Sequence, residues 1–239
     1  MPLPVGVPSR PGVVRWRYAA AVLACLAAPV WAAPENAQPR MPEPGLAPAR
    51  TIQLRGTVFH VQGLEIEADA IYVTSLNKKA QRGYLHKFTR TGDLVRTVEI
   101  TDGARDHPGG ITRDGDGLWV PIAESHAGGS ARIVRFDRHT LEPLASFEVA
   151  DHIGAIAVDG ERIYGANWRT KSFYVWRRDG TPLASPTNPT QVQYQDMKMT
   201  GGALVASGLM PDGRSGAVDW LDPETFAPRR RLALGKMAN

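Results

Sequence analysis

Three of the six histidines in the chain stand at matched intervals: His60, then His107 after 47 residues, then His152 after 45 more, with Tyr194 a further 42 residues on. If a repeating fold brings these positions to one point, neutral imidazoles face one another there. They would then suit a borderline-soft divalent ion such as zinc. Asp196 or Glu124 would add an oxygen ligand, and a site richer in carboxylate would suit calcium. The candidate metal set is His60, His107, His152 and Asp196. The same spacing has a structural alternative, in which each histidine caps a strand by bonding to a neighbouring repeat's backbone.

A wider candidate ligand-binding set surrounds these positions: Gln62, His107, Glu124, His152, Asn167, Trp168, Gln195 and Asp196. Trp168 directly follows the polar Asn167 at a strand end and could form a ligand wall. Trp119, Trp176 and Trp220 fall inside apolar strands and read as core. No Gly-rich phosphate loop, Cys/His zinc-finger spacing or Gly-x-Ser-x-Gly elbow is present, so nucleotide, zinc-finger and serine-hydrolase chemistry have no support.

The elements that must position these residues are short strands. His60-Val-Gln-Gly-Leu64, His107-Pro-Gly-Gly-Ile111, His152-Ile-Gly-Ala-Ile156 and Tyr194-Gln-Asp-Met-Lys198 each begin a unit of roughly 45 residues. In each unit a second apolar strand follows, such as Gly117-Leu-Trp-Val120. A third strand alternates apolar with polar, such as Arg132-Ile-Val-Arg-Phe136. Three units add a clear fourth strand, at 96–100, 145–149 and 230–234. Period-two alternation repeated four times per unit describes an all-β fold, a β-propeller of four-stranded blades with four visible repeats. The first strands of such blades line a central channel, so the candidate residues gather at its mouth. A further strand, Thr51–Gly56, precedes the first repeat. Two closures follow: a four-bladed ring with a spare strand, or a truncated five-bladed ring whose next inner strand would begin near Met237.

The N-terminal part reads differently. Arg10, Arg15 and Arg17 precede an apolar run from Tyr18 to Val30, and Val30-Trp31-Ala32 offers small residues at the first and third positions before a cut. Residues 1–32 are expected to be a signal peptide cleaved after Ala32, which implies a periplasmic or secreted protein with no membrane span once the signal is removed. Cys25, the only cysteine, allows a lipoprotein as the minor alternative and leaves the domain without a disulfide. Residues 33–50 form a Pro/Ala-rich leader, and 51–239 the propeller domain. The net charge of +4 falls to +1 once the three signal arginines are set aside, with 25 of the 28 basic residues left against 24 acidic ones. Nucleic-acid binding therefore has no electrostatic basis.

From Thr51 to Lys236 the chain resembles an uncharacterised family of exported bacterial propellers. The resemblance rests on Val61-Gln-Gly-Leu64, His107-Pro-Gly-Gly110, Val120-Pro-Ile-Ala-Glu124, Asp151-His-Ile-Gly-Ala155, Gly165-Ala-Asn-Trp168 and Gln195-Asp-Met-Lys198. It implies a further C-terminal blade. Arg169 stands where that family has an acidic residue, and Ser125 where it has an aromatic. Phe59-His-Val-Gln-Gly-Leu64 is also distantly similar to the first-blade motif of five-bladed glutaminyl cyclotransferases. The carboxylate that those enzymes carry in the next blade is replaced here by Pro108-Gly-Gly-Ile111, so that activity is not implied. Two functions are expected from these readings. The first is binding of a small molecule or protein partner at the channel mouth; the alternative is a lactonase-like, metal-dependent hydrolase using the channel histidines and carboxylates.

Overall fold

The computed structural model describes residues 50–236. The expected signal peptide with Cys25, the expected leader up to residue 49 and the expectation at Met237 lie outside the described residues.

The chain forms four antiparallel sheets in a β-propeller ring. The first blade comprises β1 (His60–Ile66), β2 (Ala70–Asn77), β3 (Arg82–Thr89) and β4 (Leu94–Glu99). The second has β5 (His107–Pro108), β6 (Thr112–Asp114), β7 (Gly117–Ala123), β8 (Ala131–Asp137) and β9 (Pro143–Val149). β10 (Ile153–Asp159), β11 (Arg162–Asn167), β12 (Phe173–Arg177) and β13 (Pro182–Ala184) make the third. The fourth is β14 (Gln193–Thr200), β15 (Ala203–Leu209), β16 (Ser215–Leu221) and β17 (Pro228–Lys236). The short, exposed β13 begins with a proline and carries little alternation, which is why the third unit shows no clear fourth strand in the sequence.

In the second blade β5 and β6 are one inner strand interrupted at 109–111, and both pair with β7. The interruption lets the Gly110 N–H reach the Gly154 carbonyl of the third blade at 2.8 Å. A Cβ on Gly109 would lie 2.2 Å from that same carbonyl oxygen, and one on Gly63 would lie 2.7 Å from the Gly110 Cα. Only glycine permits inner strands to meet this closely at the axis.

Hydrophobic clusters join consecutive blades. Tyr72 and Leu85 pack with Leu118 and Val120 between the first and second blades, and Trp119 and Ile133 pack with Ile163 and Trp176 between the second and third. Phe173 stacks on Phe226, ring centroids 4.4 Å apart, between the third and fourth. The third of these interfaces also holds an ion pair with no exposure on the acid, Asp219 with Arg231, to which the Tyr194 hydroxyl donates. Among the described residues no such cluster joins the fourth blade to the first, and those blades meet along β14 and β1. Accordingly β7 is buried at every position, whereas β15 beyond its first two residues is buried only at Ala206, with Val205 and Leu209 half-buried.

The segment 51–56 does not act as a ring-closing strand. It forms a single parallel bridge, Arg55 with Asp93, and Ile52, Leu54 and Val58 cover Ile71, Val73 and Phe88 on the first blade. The fourth blade already has β17 as its outer strand. The leading residues therefore gain more by burying the first blade's apolar face, at about 25 cal/mol per Å².

Candidate functional site

Three inner strands carry a register shift at the same level: between Val61 and Gly63, between Ile153 and Ala155, and between Tyr194 and Asp196. A β-bulge leaves one residue unpaired and re-aims its side chain. Here the residues skipped are Gln62, Gly154 and Gln195, and all three line one cavity of about 260 Å³ at the channel mouth. The remaining lining residues are His60, Lys78, His107, His152, Asn167, Trp168, Arg169, Gln193 and Tyr194. No aspartate or glutamate is among them.

The histidines are unequal. His60 is exposed, while His152 is buried at 2% exposure. The Nδ1 of His152 lies 2.7 Å from the Glu124 carbonyl oxygen, which can only accept, so Nδ1 carries the proton and Nε2 is a bare acceptor. That Nε2 is the nearest atom to the open space above Gly154. The Ser125 hydroxyl donates to Asp106 at 2.7 Å and stands 3.5 Å from His107 Nδ1, a long contact that favours the same tautomer. Burial holds both rings neutral: His107 is pushed down to about 4, with His152 adding to the effect, and His152 is lowered by burial as well. The two rings meet edge to face at 5.2 Å, and Trp168 stands edge-on to His152 at 4.5 Å and to His107 at 6.2 Å.

Trp168 and Arg169 sit on a short 3-10 turn, Trp168–Thr170, which is pinned at every step. The Asn167 amide donates to Asp151 at 2.7 Å and its carbonyl accepts from Ser172 N–H at 2.9 Å. Trp168 N–H donates to the His152 carbonyl at 3.0 Å. Thr170 donates to the Tyr194 carbonyl at 3.0 Å and accepts from the Asn188 amide at 2.8 Å. These bonds hold Arg169 at φ 58° and Thr170 at φ 47°, left-handed conformations that disfavour residues with a Cβ. Asp151 also accepts from the Tyr174 hydroxyl, whose pKa burial pushes up to about 12.

The expected residues therefore divide. Gln62, His107, His152, Asn167, Trp168 and Gln195 line the cavity, with His60 at its edge. Glu124 contributes only its carbonyl, because its carboxylate turns to Ser130 and His126. Asp196 is not a lining residue. Its carboxylate accepts from Leu64 N–H at 3.3 Å, from Met197 N–H at 2.9 Å and from Lys198 at 2.7 Å, which ties the fourth blade to the first. Lys198 also donates to the Ile111 carbonyl. The set His60, His107, His152 and Asp196 does not form a metal centre, and no group of three or more His, Cys, Asp or Glu side chains among the described residues is arranged to hold an ion. For His152 the capping alternative describes one ring nitrogen, which bonds a backbone carbonyl between blades.

The residues that sequence reasoning missed are Lys78, Gln193 and the role of Arg169. Asp151 was missed as the residue that orients Asn167. Lys78 follows the end of β2 with no pattern to single it out, whereas Asp151 directly precedes His152 and could have been found from that adjacency.

Residues 47–210 match the model of a family of unknown function, DUF6454. No curated protein sequence matches the chain. Among solved structures the chain is similar to Myxococcus xanthus glutaminyl cyclase, with TM-score 0.55, 12% identity and 75% of each chain covered. It is also similar to the Neurospora crassa Pan2 WD40 domain, with TM-score 0.50 and 16% identity over 72% of this chain and 49% of that one, so it spans about half that domain. At these identities the likeness is one of fold.

Proposed function

We propose that this chain, which belongs to the DUF6454 family, binds a small molecule in the cavity at its channel mouth. The observation that carries this reading is the pair of half-buried His107 and buried His152. Both rings are held neutral, His152 is tied through Nδ1 with Nε2 left to the cavity, and Trp168 stands edge-on to both. His152 Nε2 faces the cavity without a protein partner, so a ligand donor that meets it would add on the order of 1 kcal/mol to affinity. A concave site with a few convergent polar groups and perturbed titratable residues is the usual form of a small-molecule pocket.

The hydrolase alternative has weaker support, since the carboxylates it needs are engaged elsewhere: Asp196 with Lys198, Glu124 with Ser130 and His126. Thermal-shift screening of the purified chain against a metabolite library tests the binding reading. A compound should raise the melting temperature of the wild type and lose that effect in both His152→Ala and Trp168→Ala. A hit indifferent to both substitutions would move the site elsewhere. Elemental analysis with and without chelation separates the two readings. Less than stoichiometric zinc or calcium and an unchanged melting temperature are expected, while bound metal with a melting point lowered by chelation would favour the hydrolase. The export signal belongs to the same proposal, placing binding in the periplasm or outside the cell. N-terminal sequencing of the protein recovered from its native host should begin at Ala33.

A further inference from the structure

The charge around the cavity narrows the ligand class. Two cations, Lys78 and Arg169, line it and no carboxylate does. Several of the less exposed cations elsewhere are matched: Arg105 with Asp102 and Glu148, Arg138 with Asp69, Arg178 with Asp114, Arg231 with Asp219 and Lys198 with Asp196. Among the described residues neither Lys78 nor Arg169 has an acidic partner within 4 Å. The field of Lys78 reaches inward, contributing to the lowered basicity of His60 and His107. Low-dielectric walls focus such a field on whatever enters.

Arg169 is also held in a strained conformation by the residues around it. A non-glycine residue at φ 58° followed by another at φ 47° persists only because Asn167, His152, Asn188 and Tyr194 bond the turn on all sides. Besides these cations the cavity offers acceptors, namely the neutral His152 and His107 rings, and the amides of Gln62, Gln193 and Gln195, which both donate and accept. A ligand satisfying both kinds of group carries an anionic group together with O–H or N–H donors. The cavity, at about 260 Å³, is below the roughly 300–1,000 Å³ typical of sites for drug-sized ligands, so that ligand is small.

We infer that the site takes a small hydroxy or amino carboxylic acid, with Arg169 and Lys78 holding its carboxylate and the histidine and glutamine side chains meeting its donors. This rests on the binding reading above and specifies its ligand class.

Titration calorimetry on the purified chain tests it with three- to six-carbon hydroxy and amino acids, L-malate and L-glutamate among them, each beside its uncharged amide. Inorganic sulfate and phosphate are run alongside. At least one acid should bind at or below millimolar Kd, with its amide at least tenfold weaker and its affinity falling as salt rises. Arg169→Gln should weaken that acid at least tenfold, and Lys78→Gln about threefold, with circular dichroism and melting temperature as fold controls. Binding of no acid below 10 mM overturns the inference, as does an amide that matches its acid. Sulfate equal to the best acid removes the donor half and overturns it too. If a neutral library compound binds and is lost in His152→Ala, the pocket reading stands and only the ligand class fails. If every ligand is indifferent to His152→Ala and Trp168→Ala, both fail.

Discussion

At the channel mouth the titratable groups taken from solvent are bases, half-buried His107 and buried His152, with His152 anchored through one ring nitrogen and open at the other. Beside the mouth, on the inner strands of the first and fourth blades, the partly buried groups are acids, Glu65 and Asp196. There the polar atoms satisfy one another: Asp196 accepts from two backbone N–H groups and Lys198, and Glu65 accepts from Arg113 N–H with Lys198 at 3.6 Å. Burial acts on both places with opposite sign. It lowers the histidines, and it raises Asp196 and pushes Glu65 up to about 6. A polar cluster whose groups are consumed internally holds blades together, whereas one that leaves acceptors and cations facing a cavity is available to a ligand.

The largest expected effect comes from dismantling the inner cluster. Asp196→Ala leaves Lys198 and the Leu64 N–H without their acceptor where the fourth blade meets the first, and should cost about 3 kcal/mol in urea denaturation. Ligand contacts at the mouth do not include the Asp196 carboxylate, so affinity measured well below the unfolding transition should change less than threefold. A large affinity loss with little change in stability would reverse the roles assigned to the two clusters.

A smaller effect, of opposite sign, is expected at the mouth. Arg169→Gly relieves the left-handed strain but adds chain entropy to the unfolded state, for a net gain of about 0.5 kcal/mol. The same change removes the cation and should weaken acid binding. Stability up with affinity down is the signature of strain stored for function; stability down would mean that the Arg169 side chain supports the turn.

The smallest effects are in pH dependence. Glu65 titrates higher folded than unfolded, so the native state binds more protons between about pH 4.5 and 6, and its contribution to stability declines as pH rises through that window. His107 titrates lower when folded, so its contribution is present above about pH 6.5 and is lost as pH falls towards 4. Glu65→Gln should therefore make stability rise more steeply between pH 4.5 and 6, and His107→Gln should flatten the loss in acid. Denaturation midpoints across pH 4–7 for both variants check the two signs; identical slopes would mean that neither group is as buried in solution as its surroundings imply.

Much of the fold is legible in the sequence because a blade is a local object. Alternation, turn residues and the repeat of about 45 residues mark the strands of every blade except β13, where proline and brevity erase the pattern. The cavity is only partly legible. His107, His152, Gln62, Asn167, Trp168 and Gln195 fall in recurrent words of the repeat, and the structure brings them to one cavity. Asp196 lies in the same words and is drawn away, because the bulge at Gln195 turns one neighbour to the cavity and leaves the other to Leu64 and Lys198. Glu124 fails for a similar reason: its loop offers the carboxylate nearer partners in Ser130 and His126.

The sequence by itself determined the class of fold, the number of visible repeats and the strands that reach the axis, since period-two alternation and turn chemistry act over a few residues. Tertiary structure alone decided that the leading segment covers the first blade instead of closing the ring, that Lys78 and Arg169 flank the histidines without an acidic partner, and that Asp196 joins blades instead of holding an ion. These outcomes depend on bulge register and on which blade comes to lie beside which. A shift of one residue exchanges the side chains of a strand between its two faces, and that choice is made only when the inner strands meet at the axis.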